Sequence, residues 1–477
     1  MKDKYKYLIK NVGILTISNF ASKILVFLLV PLYTSVLSTE EYGIYDMAIT
    51  TTQLLFPIIT VNIVDGVMRF IMDKNYERKK VVNVGFAYIL GGVIIATVLI
   101  FIATAIDVLG NFKGYEILIL LYYISYTMNQ YLIQLSKGLE KITDMGIAGA
   151  LGTVVMIVGN LLFLLVFQSG LKGFFVANIL AQAVPTIYLF IRVKLWKYIS
   201  FKVDKTIRTE MVKYSAPLIF TVVGWWINSA ADRYVVAFII GMAANGILSV
   251  AYKIPSIINT LQSIFVQAWQ VSAIKEYENS DKVVFYSDSF IILNFLMCIA
   301  CSILIILSRP LAEILYAKDF FSAWKYVPFL LIASVLNSAS GFLGPILAAK
   351  KDSKSMAVSA IYGSVFNIVF NIILVYLIGI QGATITTVIS SFIIFLIRRK
   401  AVARALFISK EWTVYLVWGL LIIQAIAEIK ENYYIQLIMI VAIIALNKDI
   451  FKKSMSILKK RGRMNNEDSS NNANKIE

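Results

Sequence analysis

Apolar runs of 18 or more residues recur along the chain, parted by short polar stretches. As helices they cross a bilayer, since ~20 residues rising ~1.5 Å each cover the ~30 Å hydrocarbon core. The pattern predicts an all-α integral membrane protein with 14 spans. Their cores lie at 11–36, 43–70, 82–106, 115–136, 145–168, 172–193, 213–239, 246–272, 286–307, 325–348, 356–378, 380–397, 412–428 and 433–448. The last two are short. The first run is too long for a signal-peptide core and leads straight into a second span, so no cleaved leader is expected.

The polar stretches set topology. STEEYG, GMAANG and GIQG are expected as tight external turns, and 308–324 as a longer external loop holding an interfacial helix. The stretch 194–213 is basic and amphipathic, which predicts a linker lying on the membrane surface. With the N-terminus placed in the cytoplasm, 35 of the 45 Lys and Arg fall in inside segments and 6 outside. The bias alternates loop by loop, as the positive-inside rule requires, and puts both termini in the cytoplasm. A missed helix would invert it downstream. The net charge of +17 is therefore a topology determinant rather than a nucleic-acid footprint, with anionic inner-leaflet lipid as a generic partner.

An internal repeat is visible at an offset of 203 to 211 residues. Gly43-Ile44 with Ala48 matches Gly246-Ile247 with Ala251. Asn19 to Lys23 sits like Asn228 to Arg233, and Asn160 with the following GLKG sits like Asn371 with GIQG. Six spans separate the copies, an even number, so the repeats are parallel about an axis along the membrane normal, a plan found in secondary transporters. The expected organisation is an N-terminal six-helix lobe (1–193), the linker (194–212), a C-terminal six-helix lobe (213–400), two further helices (401–458) and a polar, disordered tail (459–477).

Composition narrows the chemistry. Hydrophobic residues make up 59%, charged ones 15%, mean hydropathy is +0.77, and there is no His. The commonest metal ligand and general base is thus missing. Cys298 and Cys301 form CxxC inside an apolar run, without partner ligands, and read as buried thiols. Neither a metal nor a cofactor is expected.

Four cations lie within spans: Lys23, Arg69, Arg233 and Lys253. Mid-membrane charge costs about 2.5–3.5 kcal/mol on insertion scales, so each needs a reason. One reading is a cationic cavity on the pseudo-twofold axis for a phosphate or diphosphate, with Arg as a bidentate donor and Lys as a point charge. The other is structural pairing. Asp65 and Arg69 stand at i, i+4, which favours a pair at the cytoplasmic end; Lys23 has no acid within a turn and favours the cavity. Asp232 and Arg233 are adjacent, so at least one must find its partner on another helix or in water. Asp65 and Asp232 are candidates for ion coupling. Asp46 lies three residues after Gly43 and reads as solvated near the outer surface. Pro31, Pro57, Pro217, Pro255 and Pro345 bend or break spans. Asn19, Asn228, Gln267 and Trp269 are candidate sugar contacts; helix-to-helix hydrogen bonds and packing are the alternatives.

SNFASKILVFLLVPLYTSVLSTEEYGIYD with DGVMRFI resembles the start of Wzx-type flippases of lipid-linked oligosaccharides, which serve O-antigen and capsule synthesis. These are polysaccharide biosynthesis proteins of the multidrug/oligosaccharidyl-lipid/polysaccharide (MOP) exporter superfamily. PLIFTVVGWWINSAADRYVVAFIIG, GILSVAYKI and FVQAWQ resemble its seventh and eighth helices; VLNSASGFLGPILAAKK and GSVFNIVFNIILVYLIGIQGATITTVIS resemble its tenth to twelfth. The resemblance covers about residues 5–400. It implies two MATE-like six-helix lobes and alternating access that carries an undecaprenyl-diphosphate-linked sugar unit across a bacterial cytoplasmic membrane. It also implies a shared pathway with polymerase and chain-length proteins. Lipid II and multidrug exporters are the alternatives inside the superfamily, although inward acids suit cationic drugs better than the cations found here. A membrane polymerase needs a larger external catalytic loop than any in this chain. A scaffold in an assembly complex leaves the buried charges unexplained.

Overall fold

The computed structural model describes residues 25, 27–200, 203–275, 282–350, 352–403 and 411–447. These are helical, with no strand among them. They divide into two compact units: one runs to Val250 and includes Ala312–Ala323, the other holds Ala251–Leu311 and Trp324 onward. The packing boundary thus falls later in the chain than the linker at 194–212.

The first unit contains α1 (Val30–Val36), α2 (Thr39–Ile59), α3 (Ile63–Ile71), α4 (Arg78–Ala105), α5 (Glu116–Gly138), α6 (Ile142–Asn160, continued by a π-helical stretch Leu161–Val166), α7 (Gly170–Val193), α8 (Lys205–Ile239) and most of α9 (Met242–Ala251). The STEEYG stretch is mainly a helix start rather than a turn. Ser38 caps α2 by accepting from the Glu41 N–H, and the Glu41 carboxylate accepts from the Ser38 N–H. This reciprocal box satisfies two otherwise unpaired donors. The second span is broken: α2 and α3 meet at 60°. Pro57 supplies no N–H, and Val61 and Asn62 take positive φ, held by Asn62 N–H to Pro57 C=O at 2.8 Å.

The stretch 194–213 also departs from a surface linker. After a 3-10 turn at Leu195–Lys197, Asp204 caps α8 through the Thr206 and Ile207 N–H groups. Those bonds hold the Asp204 carboxyl below its usual range, aided by Lys80. Leu195, Ile207 and Met211 are buried in the unit's hydrophobic core with Val67, Val81 and Leu135. The apolar face meets protein.

The second unit contains α10 (Pro255–Lys275), α11 (Lys282–Ile306), the start of α12 (Ser308–Leu315), α13 (Val327–Ala349), α14 (Ser353–Ile378), α15 (Ile380–Ala401), α16 (Glu411–Ile429) and α17 (Tyr433–Leu446). The stretch 308–324 does hold a helix, α12, followed by a 3-10 stretch Lys318–Tyr326. Here α11 and α16 run parallel, joined by Trp418 Nε1–H to Asn294 Oδ1 (3.0 Å) and Ser302 Oγ–H to Gln424 Oε1 (2.8 Å), and the row continues at the start of α12 with Ser308 Oγ–H to Glu428 Oε1 (3.0 Å). Parallel helices need an odd number of spans between them, and α13 to α15 supply it.

Among the described residues, eight helices are long and apolar enough to span a bilayer, nine with the α2–α3 pair. The chain is a multi-pass membrane protein. The other expected spans lie outside the described residues, are short (α17), or carry many polar groups, as α5 and α8 do.

Candidate functional site

The repeat seen in sequence becomes a helix crossing in the first unit. A Cβ on Gly43 would lie 2.0 Å from Met242 O, and one on Gly246 would lie 1.9 Å from Thr39 O. Thr39 and Met242 are repeat mates at an offset of 203 residues, as are Gly43 and Gly246, so each contact is the other's counterpart and α2 and α9 cross about a local pseudo-twofold axis with backbones in contact. Only residues without side chains permit that approach.

A polar cluster flanks the crossing. Arg233 Nη1–H on α8 donates to both Asp46 carboxylate oxygens, at 3.0 and 3.2 Å. Ser249 Oγ–H on α9 donates to Asp46 Oδ2 at 2.7 Å, and Asn245 Nδ2–H donates to Gly43 C=O at 3.0 Å. Asp46 and Ser249 are repeat mates at the same offset, so this bond bridges the pseudo-axis. Side-chain exposures are 13% for Asp46 and 21% for Arg233, which makes Asp46 a largely buried ion-pair partner rather than a solvated surface acid. α2 begins at Thr39, so Asp46 lies two turns inside the helix and faces α8 and α9. Further along α2, Trp226 Nε1–H donates to Thr50 C=O (3.0 Å), and Tyr234 bonds Thr51 through their hydroxyls. At the near end Tyr33 stacks on Tyr42 at 4.9 Å, with Phe320 edge-on to Tyr42. Thr34 Oγ1 donates to Leu315 C=O and accepts from the Ala317 N–H. The segment 312–323 is thereby stitched to α1, α2 and α9, the last through Tyr316 Oη–H to Val250 C=O.

The other expected site residues scatter. Lys23 and Asn19 lie outside the described residues, as does the Gln267 side chain. Arg69 pairs with Asp73 (3.8 Å), not Asp65, and is 54% exposed on its side chain. Asp65 instead accepts from Asn62 Nδ2–H (2.8 Å) and Gln134 Nε2–H (3.0 Å). An exposed pair of this kind contributes about 0–1 kcal/mol. Arg69→Ala is therefore expected to leave the thermal midpoint of the purified protein nearly unchanged.

Asp232 is buried and accepts from the Arg233 N–H at 3.0 Å. Asn228 donates to Gly224 C=O within its own helix. Lys253, assigned to the second unit, sits half-buried in the break between α9 and α10. Trp269 is 4% exposed, stacked on Phe342 at 4.1 Å, with Nε1–H to Phe342 C=O. Both its ring and its donor are taken up by core packing of the second unit, a different environment from the sugar-facing wall expected. Cys298 and Cys301 are fully buried free thiols. No group of three or more His, Cys, Asp or Glu able to hold a metal occurs among the described residues.

This fold is that of the MOP exporter superfamily. A lipid II flippase, MurJ, in an inward closed conformation superposes with a TM-score of 0.70 at 16% identity, over 92% of this chain and 99% of that one. An inward-facing multidrug resistance MATE transporter gives 0.63 at 16% identity, over 80% and 95%. A MOP superfamily transporter from Pyrococcus furiosus, described by the reversed polarity of its binding pocket, gives 0.56 at 14%, over 83% and 96%. No curated protein gives a significant sequence match. The polysaccharide biosynthesis protein family matches residues 8–270, more than half of the chain, and the chain belongs to that family.

Proposed function

We propose that the chain is a flippase that carries undecaprenyl-diphosphate-linked oligosaccharide units from the inner to the outer leaflet of a bacterial cytoplasmic membrane. A diphosphate bearing hydroxylated sugars cannot cross hydrocarbon unaided, because its charges and hydroxyls lose their hydration. Family membership together with the MOP fold supports this reading. The observation that carries the mechanism is the α2–α9 crossing with its Asp46–Arg233–Ser249 cluster. Two repeat-related helices meet there through bonds that can be made or broken without chemistry. In an alternating-access cycle this crossing closes the outer end while substrate enters from inside, and its parting opens the outward state. Population shift requires the two states to differ by only a few kcal/mol, which a handful of hydrogen bonds and one ion pair can set.

The polysaccharide family match favours an oligosaccharide-lipid cargo; the extent of the MurJ superposition favours lipid II. Deleting the gene separates them. The first reading expects a polyprenyl-diphosphate oligosaccharide to build up on the cytoplasmic face while lipid II flux is unchanged. Lipid II accumulation points to the second cargo. Unchanged surface polymer with neither lipid accumulating removes both.

A further inference from the structure

Arg233, one of the expected cavity cations, is matched by Asp46, yet a cation with no acid bonded to it among the described residues stands elsewhere. Arg398 lies in the last turn of α15, half-buried, and turns inward between helices. Its Nε–H donates to Ser359 Oγ on α14 at 3.0 Å, and its Nη1–H donates to Ser340 C=O on α13 at 3.1 Å. Both acceptors are neutral. Among the described residues no acidic side chain is bonded to this guanidinium. The helix C-terminus offers it about half a negative charge, which accounts for part of its stability but uses none of its remaining donors.

The surroundings leave one nitrogen of the guanidinium unused. Nη2 makes no hydrogen bond among the described residues, and Arg398 as a whole is half-buried. Nearby on α13, Gly341 and Gly344 carry no side chains, and a Cβ on Gly344 would still stand 3.9 Å from Arg398 Nη1. Pro345 supplies no N–H to the Gly341 carbonyl, which loosens α13 in this turn. The Ser338 and Ser340 hydroxyls are buried without partners among the described residues. Lys350 Nζ donates to Ala401 C=O at 3.1 Å and pairs with Asp352 at 3.7 Å, so a second cation, already matched by an acid, stands at the same helix end. Ser359, itself bonded to Met356 C=O, fixes the tilt of the fork.

We propose that Arg398 is a docking point for the phosphate or diphosphate head group of a membrane lipid, at the end of the second unit that the positive-inside pattern places in the cytoplasm. A guanidinium held through Nε and Nη1 by neutral acceptors keeps its Nη2 donors for phosphate oxygens. The head group supplies the counter-charge the fold omits. Two lipids carry this chemistry: the polyprenyl-diphosphate cargo, in which case the site rests on the flippase reading as its entry station, and an anionic phospholipid, in which case it does not.

The test uses the full-length protein in phosphatidylcholine nanodiscs, with farnesyl diphosphate as one probe and added phosphatidylglycerol as the other. Arg398→Ala is expected to weaken binding by about tenfold or more, the range for one charge-assisted contact. Arg398→Lys, which keeps charge but loses the fork, is expected to fall between. Loss for farnesyl diphosphate identifies the cargo class; loss for phosphatidylglycerol alone identifies a phospholipid site. Arg398→Gln and Arg398→Lys carry the comparison if the alanine variant fails to fold. Folded variants that bind both probes as tightly as the wild type overturn the proposal, as does a wild type that binds neither. Retained Arg398-dependent binding in a protein that moves no lipid rejects the flippase reading and leaves the site standing.

Discussion

Asp46→Ala is expected to cut transport by about tenfold or more while the protein still reaches the membrane. The substitution removes two hydrogen bonds from Arg233 and one from Ser249. Breaking one side of a buried pair costs about 3–5 kcal/mol, because the remaining charge keeps its desolvation penalty. With side-chain exposures of 13% and 21%, the lower end of that range applies, since water reaches the guanidinium in part. About 3 kcal/mol is roughly a hundredfold change in the balance of two conformations. Arg233→Ala leaves Asp46 with the Ser249 bond alone and is expected to match it. The double variant is expected to recover part of the loss, since neither member of the pair then stays behind without the other; a coupling of about 0.5–3 kcal/mol is typical of groups in contact. Thermal midpoints of the four proteins, read beside transport, check the cycle. Additive effects would mean that the pair does not act as a unit.

Gly246→Ala and Gly43→Ala are expected to be as damaging, by a different route. In each, the new methyl meets a carbonyl oxygen near 2 Å, at Thr39 or Met242. A backbone atom cannot turn aside, so the helices must separate. Overpacking costs about 1–3 kcal/mol or more, against about 1 kcal/mol gained from alanine's helix preference. Gly91→Ala is the control: nothing lies within 4 Å of its added Cβ, so only the gain in preference remains. Separation of α2 from α9 also loosens the Asp46 cluster. Cysteine accessibility at Ser249 to a membrane-impermeant thiol reagent is therefore expected to rise in the alanine variants of Gly43 and Gly246 and to stay flat in that of Gly91.

Much of this was readable in the chain. Hydropathy and the placement of Lys and Arg gave the membrane class, because the bilayer acts on every residue in the same way. The 203-residue offset gave the repeat, and it pairs Gly43 with Gly246 and Asp46 with Ser249 in three dimensions. Asp46 itself was misplaced because its depth was measured from Gly43, whereas capping by Ser38 starts the helix at Thr39. The spacing of Arg69 admitted two partners, Asp65 four residues before and Asp73 four after. Helical periodicity is symmetric and cannot choose; Asn62 and Gln134 decide by engaging Asp65. The 194–213 stretch misled for a related reason. An amphipathic pattern looks the same whether its apolar face meets lipid or the core, and Ile207 and Met211 meet the core. In the sequence Arg398 is one basic residue among several in the segment after the twelfth span, and nothing local shows that α13 and α14 close around it.

Reconstitution tests the central claim most directly. Purified protein in liposomes is supplied with a labelled polyprenyl-diphosphate oligosaccharide confined to one leaflet, and a membrane-impermeant glycosidase reports its arrival in the other. The wild type is predicted to expose the label far faster than empty liposomes, and Asp46→Ala to fall toward the empty rate. Folded wild-type protein that leaves the label where it was placed, at the rate of empty liposomes, would contradict the account.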